Sequence, residues 1–174
     1  MLQDYNMYKV LELFFDAPTK YFQLREISRI VKIGLPSVVN HVKRLEKEGL
    51  VKKEKVQVYN AYKANKNERF KLYKKLNMLM RLEESGLMEF LKEKCCPGVI
   101  VLFGSASRGE DIESSDIDLL MWAKEEKLEL SKFEKKLKRM INLFFEEKLD
   151  KIPHEMMNNI INGVVLSGYL KVLK

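Results

Sequence analysis

The side chains best suited to chemistry in this chain of 174 residues fall within one stretch, Val99 to Ala123. Gly104 and Ser105 end a short apolar run, ten residues follow, and Asp116 and Asp118 open the next apolar run. Residues two apart on a strand share a face, so Asp116 and Asp118 stand side by side while Ile117 and Leu119 face the other way. Neighbouring carboxylates repel each other unless a cation lies between them. A small set of hard oxygen ligands suits Mg2+ (or Mn2+), with water and phosphate oxygens completing its shell. A glycine at the preceding bend lets phosphates approach the backbone, where N–H groups and the Ser105 hydroxyl can hold them. The chemistry indicated is polyphosphate binding with a divalent cation.

These groups need a scaffold. Val99-Ile100-Val101-Leu102-Phe103 is an unbroken β-branched and aromatic run, the pattern of a strand buried on both faces. Leu128, Phe133 and Leu137 predict a helix over 124–139, and 140–145 reads as the next buried run. Residues 152–173 read as a closing helix through Met156, Ile160, Ile161 and Val164, interrupted at Gly163 and ended near Gly168. His154, just after Pro153, sits where an exposed cap-region residue belongs rather than a catalytic base.

Gly-Ser, ten residues and then Asp-x-Asp, together with the Ser-x-x-Arg-Gly of Ser105, Arg108 and Gly109, resembles the signature of the DNA polymerase β superfamily in its compact form, the minimal nucleotidyltransferases. The Asn-Gly-Val-Val-Leu-Ser-Gly segment resembles the closing helix of archaeal members that also carry winged helices. The resemblance implies transfer of a nucleoside monophosphate from a nucleoside triphosphate to a hydroxyl, with Gly104, Ser105 and Arg108 on the phosphates and Asp116 and Asp118 as shared ligands of two metal ions. Members that catalyse well carry a third carboxylate on a later strand, and Asn142 occupies that position here. An amide oxygen can touch a cation but brings no charge, so the metal that activates the acceptor would be weakly held. Glu146, Glu147 and Asp150, just beyond the strand, are the nearest substitutes.

The first 65 or so residues follow another pattern. Leu24–Val31 reads as a short helix, 33–35 as a turn and Pro36–Lys47 as a second helix, with Val38, Val42 and Leu45 on its buried face. The opposite face carries Ser37, Asn40, Lys43 and Arg44, flanked by Val39 and His41, groups that can reach base edges and phosphates. After Gly49, residues 50–53 and 56–59 predict a hairpin turning at Glu54-Lys55, with Lys52, Lys53 and Lys55 at its tip. A helix-turn-helix followed by such a hairpin resembles the winged-helix domains of archaeal and bacterial regulators, and HVKRLEKEGLVKK is typical of them. Such domains also dock proteins, but charge favours double-stranded DNA. Residues 1–67 hold thirteen Lys and Arg against seven Asp and Glu, a net of +6, while 68–174 hold nineteen against eighteen.

The fold expected is therefore α+β: a winged helix-turn-helix over 1–66, a connecting helix over 67–94, and a nucleotidyltransferase-like mixed sheet flanked by helices over 95–174. The connecting helix carries Phe70, Tyr73, Leu76, Met80, Leu87, Phe90 and Leu91 at helical spacing, either as a homodimer face or as packing within the chain, with Gly86 a point of breakage. No apolar stretch reaches the length of a membrane span and no signal-peptide layout opens the chain, so no membrane partner and a cytoplasmic location are expected. Adjacent Cys95 and Cys96 read as reduced thiols, and with only His41 and His154 no zinc set can be assembled. Three roles remain open: a metal-dependent transferase tethered to DNA, a regulator that binds nucleotide without using it, and an antitoxin-like enzyme whose acceptor is a partner protein.

Overall fold

The computed structural model describes residues 6–147 and 152–171. No described helix is long and apolar enough to cross a membrane. The chain divides into two compact units, 1–74 and 75–174.

In the first unit, α1 (Asn6–Asp16), α2 (Leu24–Val31) and α3 (Leu35–Lys47) precede a hairpin of β1 (Val51–Val56) and β2 (Tyr59–Ala64). The helical period sets Val10, Leu11, Phe14 and Phe15 of α1 against Ile27 of α2 and Val38, Val42 and Leu45 of α3, all buried. Pro36 in the first turn of α3 has the fixed φ that suits a helix start. The turn after α3 needs Gly49 at φ 73°.

The hairpin differs from the sequence expectation. Pairing runs from Val51 opposite Ala64 to Val56 opposite Tyr59, so the turn is Gln57-Val58, not Glu54-Lys55. This register turns Tyr62 and Ala64 to the core, where Tyr62 also bridges to Phe22. Lys52, Lys53 and Lys55 accordingly lie along β1 rather than at a tip.

The predicted 67–94 helix is two, α4 (Glu68–Ser85) and α5 (Leu87–Cys95), broken at Gly86 with φ 79°. Asn67 caps the first by accepting a hydrogen bond from Phe70 N at 2.9 Å. The second unit then lays down β3 (Val99–Phe103), a one-turn helix α6 (Gly104–Arg108), β4 (Ile117–Met121), α7 (Ser131–Leu137), β5 (Ile141–Phe145), α8 (His154–Ile161) and β6 (Val164–Gly168). The sheet order is β5-β4-β3-β6, parallel between β4 and β5 and antiparallel elsewhere.

Strand alternation divides the packing. Ile100, Leu102, Ile117, Leu119, Met121 and Ile141 meet Met78, Leu82, Leu87, Leu91, Phe133 and Leu137 from the helices on one face. Val99, Val101, Phe103 and Leu120 meet Ile152 and Ile160 on the other. Two further expectations are corrected here. The helix predicted over 124–139 forms only at Ser131–Leu137, because the charged run 124–127 offers no apolar face to bury. The closing helix stops at Ile161, and Val164–Gly168 is a strand that completes the sheet beside β3. A Cβ at Gly163 would lie 2.5 Å from the Leu102 carbonyl oxygen, so glycine is what lets the chain pass from α8 into that strand.

Candidate functional site

The site grows from the end of β3. Phe103 is extended, and Gly104 takes φ 71°, turning the chain into α6. The Ser107 hydroxyl holds this bend by donating to the Gly104 carbonyl at 2.8 Å. Antiparallel pairing sets Phe103 opposite Asp118, and parallel pairing sets Asp118 opposite Asn142, so one row across the sheet joins the bend, one acid and the amide. A Cβ on Gly104 would stand 2.5 Å from Asp118 Oδ2, so the carboxylate rests in the space that a side chain there would fill.

Asp116 and Asp118 converge as alternation requires. Asn142 Nδ2 donates to Asp116 Oδ2 at 3.2 Å and to Asp118 Oδ1 at 3.1 Å. A carboxylate has no proton to give, so the amide nitrogen must be the atom that faces both. Asp116 is exposed and Asp118 half-buried.

The segment between bend and acids is tied down at several points. Ile112 N donates to Ser115 Oγ at 2.9 Å, and Ile117 N donates to the Met140 carbonyl at 2.9 Å. Asp111 is 2% exposed and pairs with Arg139 at 3.8 Å, joining this loop to the entry of β5. Nothing in sequence spacing marks that pair, since neither residue belongs to a motif. A cleft of about 440 Å³ opens beside Asp116, lined among others by Ser114, Ser115, Ser131, Lys135 and Met140.

Among the other candidates, Ser105 is half-buried in the first turn of α6, and exposed Arg108 pairs with Glu110 at 3.0 Å. Glu146 and Glu147 lie past the far end of β5. Four residues of strand, roughly 13 Å, separate Glu146 from Asn142, too far to complete the acid pair. Asp150 lies outside the described residues. Among the described residues no group of three or more His, Cys, Asp or Glu could hold a metal ion.

In the first unit Ser37, Asn40, Lys43 and Arg44 are exposed on α3, with His41 half-buried. Arg44 pairs with Glu48 at 3.2 Å. Alternation along β1 separates the three lysines: Lys53 and Lys55 share the face of buried Val51, whereas Lys52 shares a face with Glu54. Glu54 takes Lys52 at 2.7 Å, accepts from Tyr21 at 2.7 Å, and lies 3.4 Å from Lys63. The hydrogen bonds from Lys52 and Tyr21 bring the Glu54 carboxyl down to about 2.

With this geometry described, comparison with known proteins adds one result. Residues 85–168 match the family model described as Polymerase beta, Nucleotidyltransferase. No curated protein matches the chain. The matched segment contains the bend, both acids and Asn142, so this segment is similar to the polymerase β superfamily. It suggests nucleotidyl transfer in general, a reaction for which proteins of this type use a nucleoside triphosphate and a divalent metal. Two convergent carboxylates, one with an oxygen against the Gly104 bend, are the hard oxygen ligands that suit a divalent cation. The amide at Asn142 does not fit the charge of a third ligand.

Proposed function

We propose that this chain is a DNA-binding protein whose C-terminal domain takes up a nucleoside triphosphate with Mg2+ or Mn2+ on the machinery of nucleotidyl transfer. The convergence of Asp116 and Asp118 on Asn142, with the other Asp118 oxygen against the Gly104 bend, carries this reading. Asp116 and Asp118 hold the cation, Gly104 leaves the backbone open to the phosphates, Ser105 donates its hydroxyl to them, and Arg108 exchanges Glu110 for a phosphate. When bound, the cation draws charge off the phosphates, which is the chemistry this superfamily uses to move a nucleoside monophosphate to a hydroxyl.

The N-terminal 66 residues act in this proposal as a winged helix-turn-helix. The α3 side chains Ser37, Asn40, His41, Lys43 and Arg44 enter the major groove, and the lysines of β1 reach the backbone phosphates. Two copies bind as a two-fold dimer, placing their recognition helices in successive grooves. Support comes from the exposure of these residues on one helix and from the +6 net charge over 1–67.

Calorimetric titration with each of the four ribonucleoside triphosphates in Mg2+ tests the first half, with Asp116→Asn and Asp118→Asn expected to abolish binding. Absence of binding in the wild type, or retention in both variants, overturns it. Fluorescence anisotropy with duplex DNA tests the second half. An affinity that does not fall in the Lys43→Ala/Arg44→Ala variant removes α3 as the recognition helix.

A further inference from the structure

Resting on the reading above, we infer that Asn142 makes this a one-cation site, which holds a nucleoside triphosphate with a single divalent ion and does not turn it over. The argument lies in which oxygens face which way. Asp118 Oδ1 and Asp116 Oδ2 both point to the Asn142 amide nitrogen, at 3.1 and 3.2 Å. Asp118 Oδ2 points instead into the space at Gly104. The amide therefore stands on the β5 side of the acid pair as a neutral stand-in for a cation: two N–H bonds satisfy two carboxylate oxygens, and the repulsion that would otherwise recruit an ion there is reduced.

The two sides of the acid pair consequently differ. On the β3 side the second Asp118 oxygen lies against the Gly104 bend rather than on the amide, the side from which a triphosphate would approach the backbone with its ion. On the β5 side an ion would have to displace Asn142 and would gain no charge from it. Displacing the amide alone does not suffice, because a second divalent ion beside the first needs added negative charge to offset their mutual repulsion. In-line transfer uses one ion on the attacking oxygen and one on the leaving oxygen. A chain that keeps only the ion associated with the phosphates retains nucleotide recognition and loses activation of the acceptor. Joined to a DNA-binding unit, such a domain reads nucleotide concentration.

The register allows a sharp substitution. Asn142 is fixed opposite Asp118 in the β4–β5 ladder, so Asn142→Asp places a third carboxylate in the row without altering the strand. The experiment counts Mn2+ bound per full-length chain by electron paramagnetic resonance, with a non-hydrolysable adenosine triphosphate analogue in excess. One ion is expected in the wild type and two in Asn142→Asp, with Mn2+ affinity in the variant higher by at least about tenfold.

Two ions in the wild type overturn the inference while leaving nucleotide binding intact. No bound ion, with no analogue bound, overturns the proposed function and the inference together. A variant that keeps the wild-type circular dichroism spectrum yet still binds one ion also overturns the inference. The wild-type count decides even where the variant does not fold. Pyrophosphate release by the wild type, measured with each ribonucleoside triphosphate, is expected to stay at background, and release above background overturns the one-cation assignment.

Discussion

Replacing Gly104 with alanine separates backbone strain from loss of the site. Gly104 has φ 71°, a left-handed conformation that costs an alanine about 1–2 kcal/mol. The new Cβ would also stand 2.5 Å from Asp118 Oδ2. Ordinary contact begins near 3.4 Å, so the carboxylate oxygen must retreat by roughly 0.9 Å. That exceeds the tolerance of about 0.5 Å within which a binding constellation keeps its geometry. The retreat can come only by turning Asp118 away from the bend, which disturbs the oxygen that receives Asn142. Affinity for Mg2+ with a nucleoside triphosphate should fall by about 10- to 100-fold, the range seen when a ligand's support is removed.

Gly86→Ala is the control, because Gly86 has φ 79° and, among the described residues, nothing lies within 4 Å of where its Cβ would stand. Both variants should melt a few degrees lower, as about 1–2 kcal/mol requires. Only Gly104→Ala should lose ligand in calorimetric titration. Equal binding by Gly104→Ala and wild type, or an equal loss in Gly86→Ala, would refute the role given to the bend.

Arg139→Ala removes a charged neighbour of the buried Asp111 side chain and should destabilise the fold, read as a lower midpoint in urea unfolding. Glu54 titrates at about 2 in the folded chain against 4.5 as its ordinary value. Its folded pKa is depressed, so its contribution to stability is present above about pH 4.5 and is lost as pH falls toward 2. The difference in melting temperature between wild type and Glu54→Gln should therefore shrink across that window. On the DNA side, each of Lys53→Ala and Lys55→Ala should reduce the slope of log affinity against log salt by about 0.9. Lys52→Ala should change it less, because Lys52 is engaged by Glu54.

The acid pair was legible because its information is local. A strand period of two fixes that Asp116 and Asp118 share a face, and a glycine before a helix fixes a bend, whatever the rest of the chain does. Asn142 was placed through the resemblance, which implies a third ligand on a later strand, and the parallel pairing of β5 with β4 sets it opposite Asp118. The corrected elements lacked such local information. The hairpin turn carries no Asn-Gly, and Gln57 takes φ 54° only because the six cross-strand pairs that flank it demand it. Val164–Gly168 follows a helix with apolar residues at both helical and strand spacing, so its state is decided by the vacant edge of β3 rather than by its own pattern.

Asp111 shows the same limit at the level of charge. An aspartate in a polar loop reads as solvated, whereas Asp111 is buried beside Arg139, a neighbour that arrives only when β5 aligns beside β4. This dependence also explains why the loop matters to the site. Asp116 belongs to the segment that Asp111 anchors and Asn142 to the strand that Arg139 leads into, so the ion pair fixes the two chain segments whose side chains meet at 3.2 Å. The spacing of the motif can select the residues, but their alignment across β4 and β5 depends on contacts outside it.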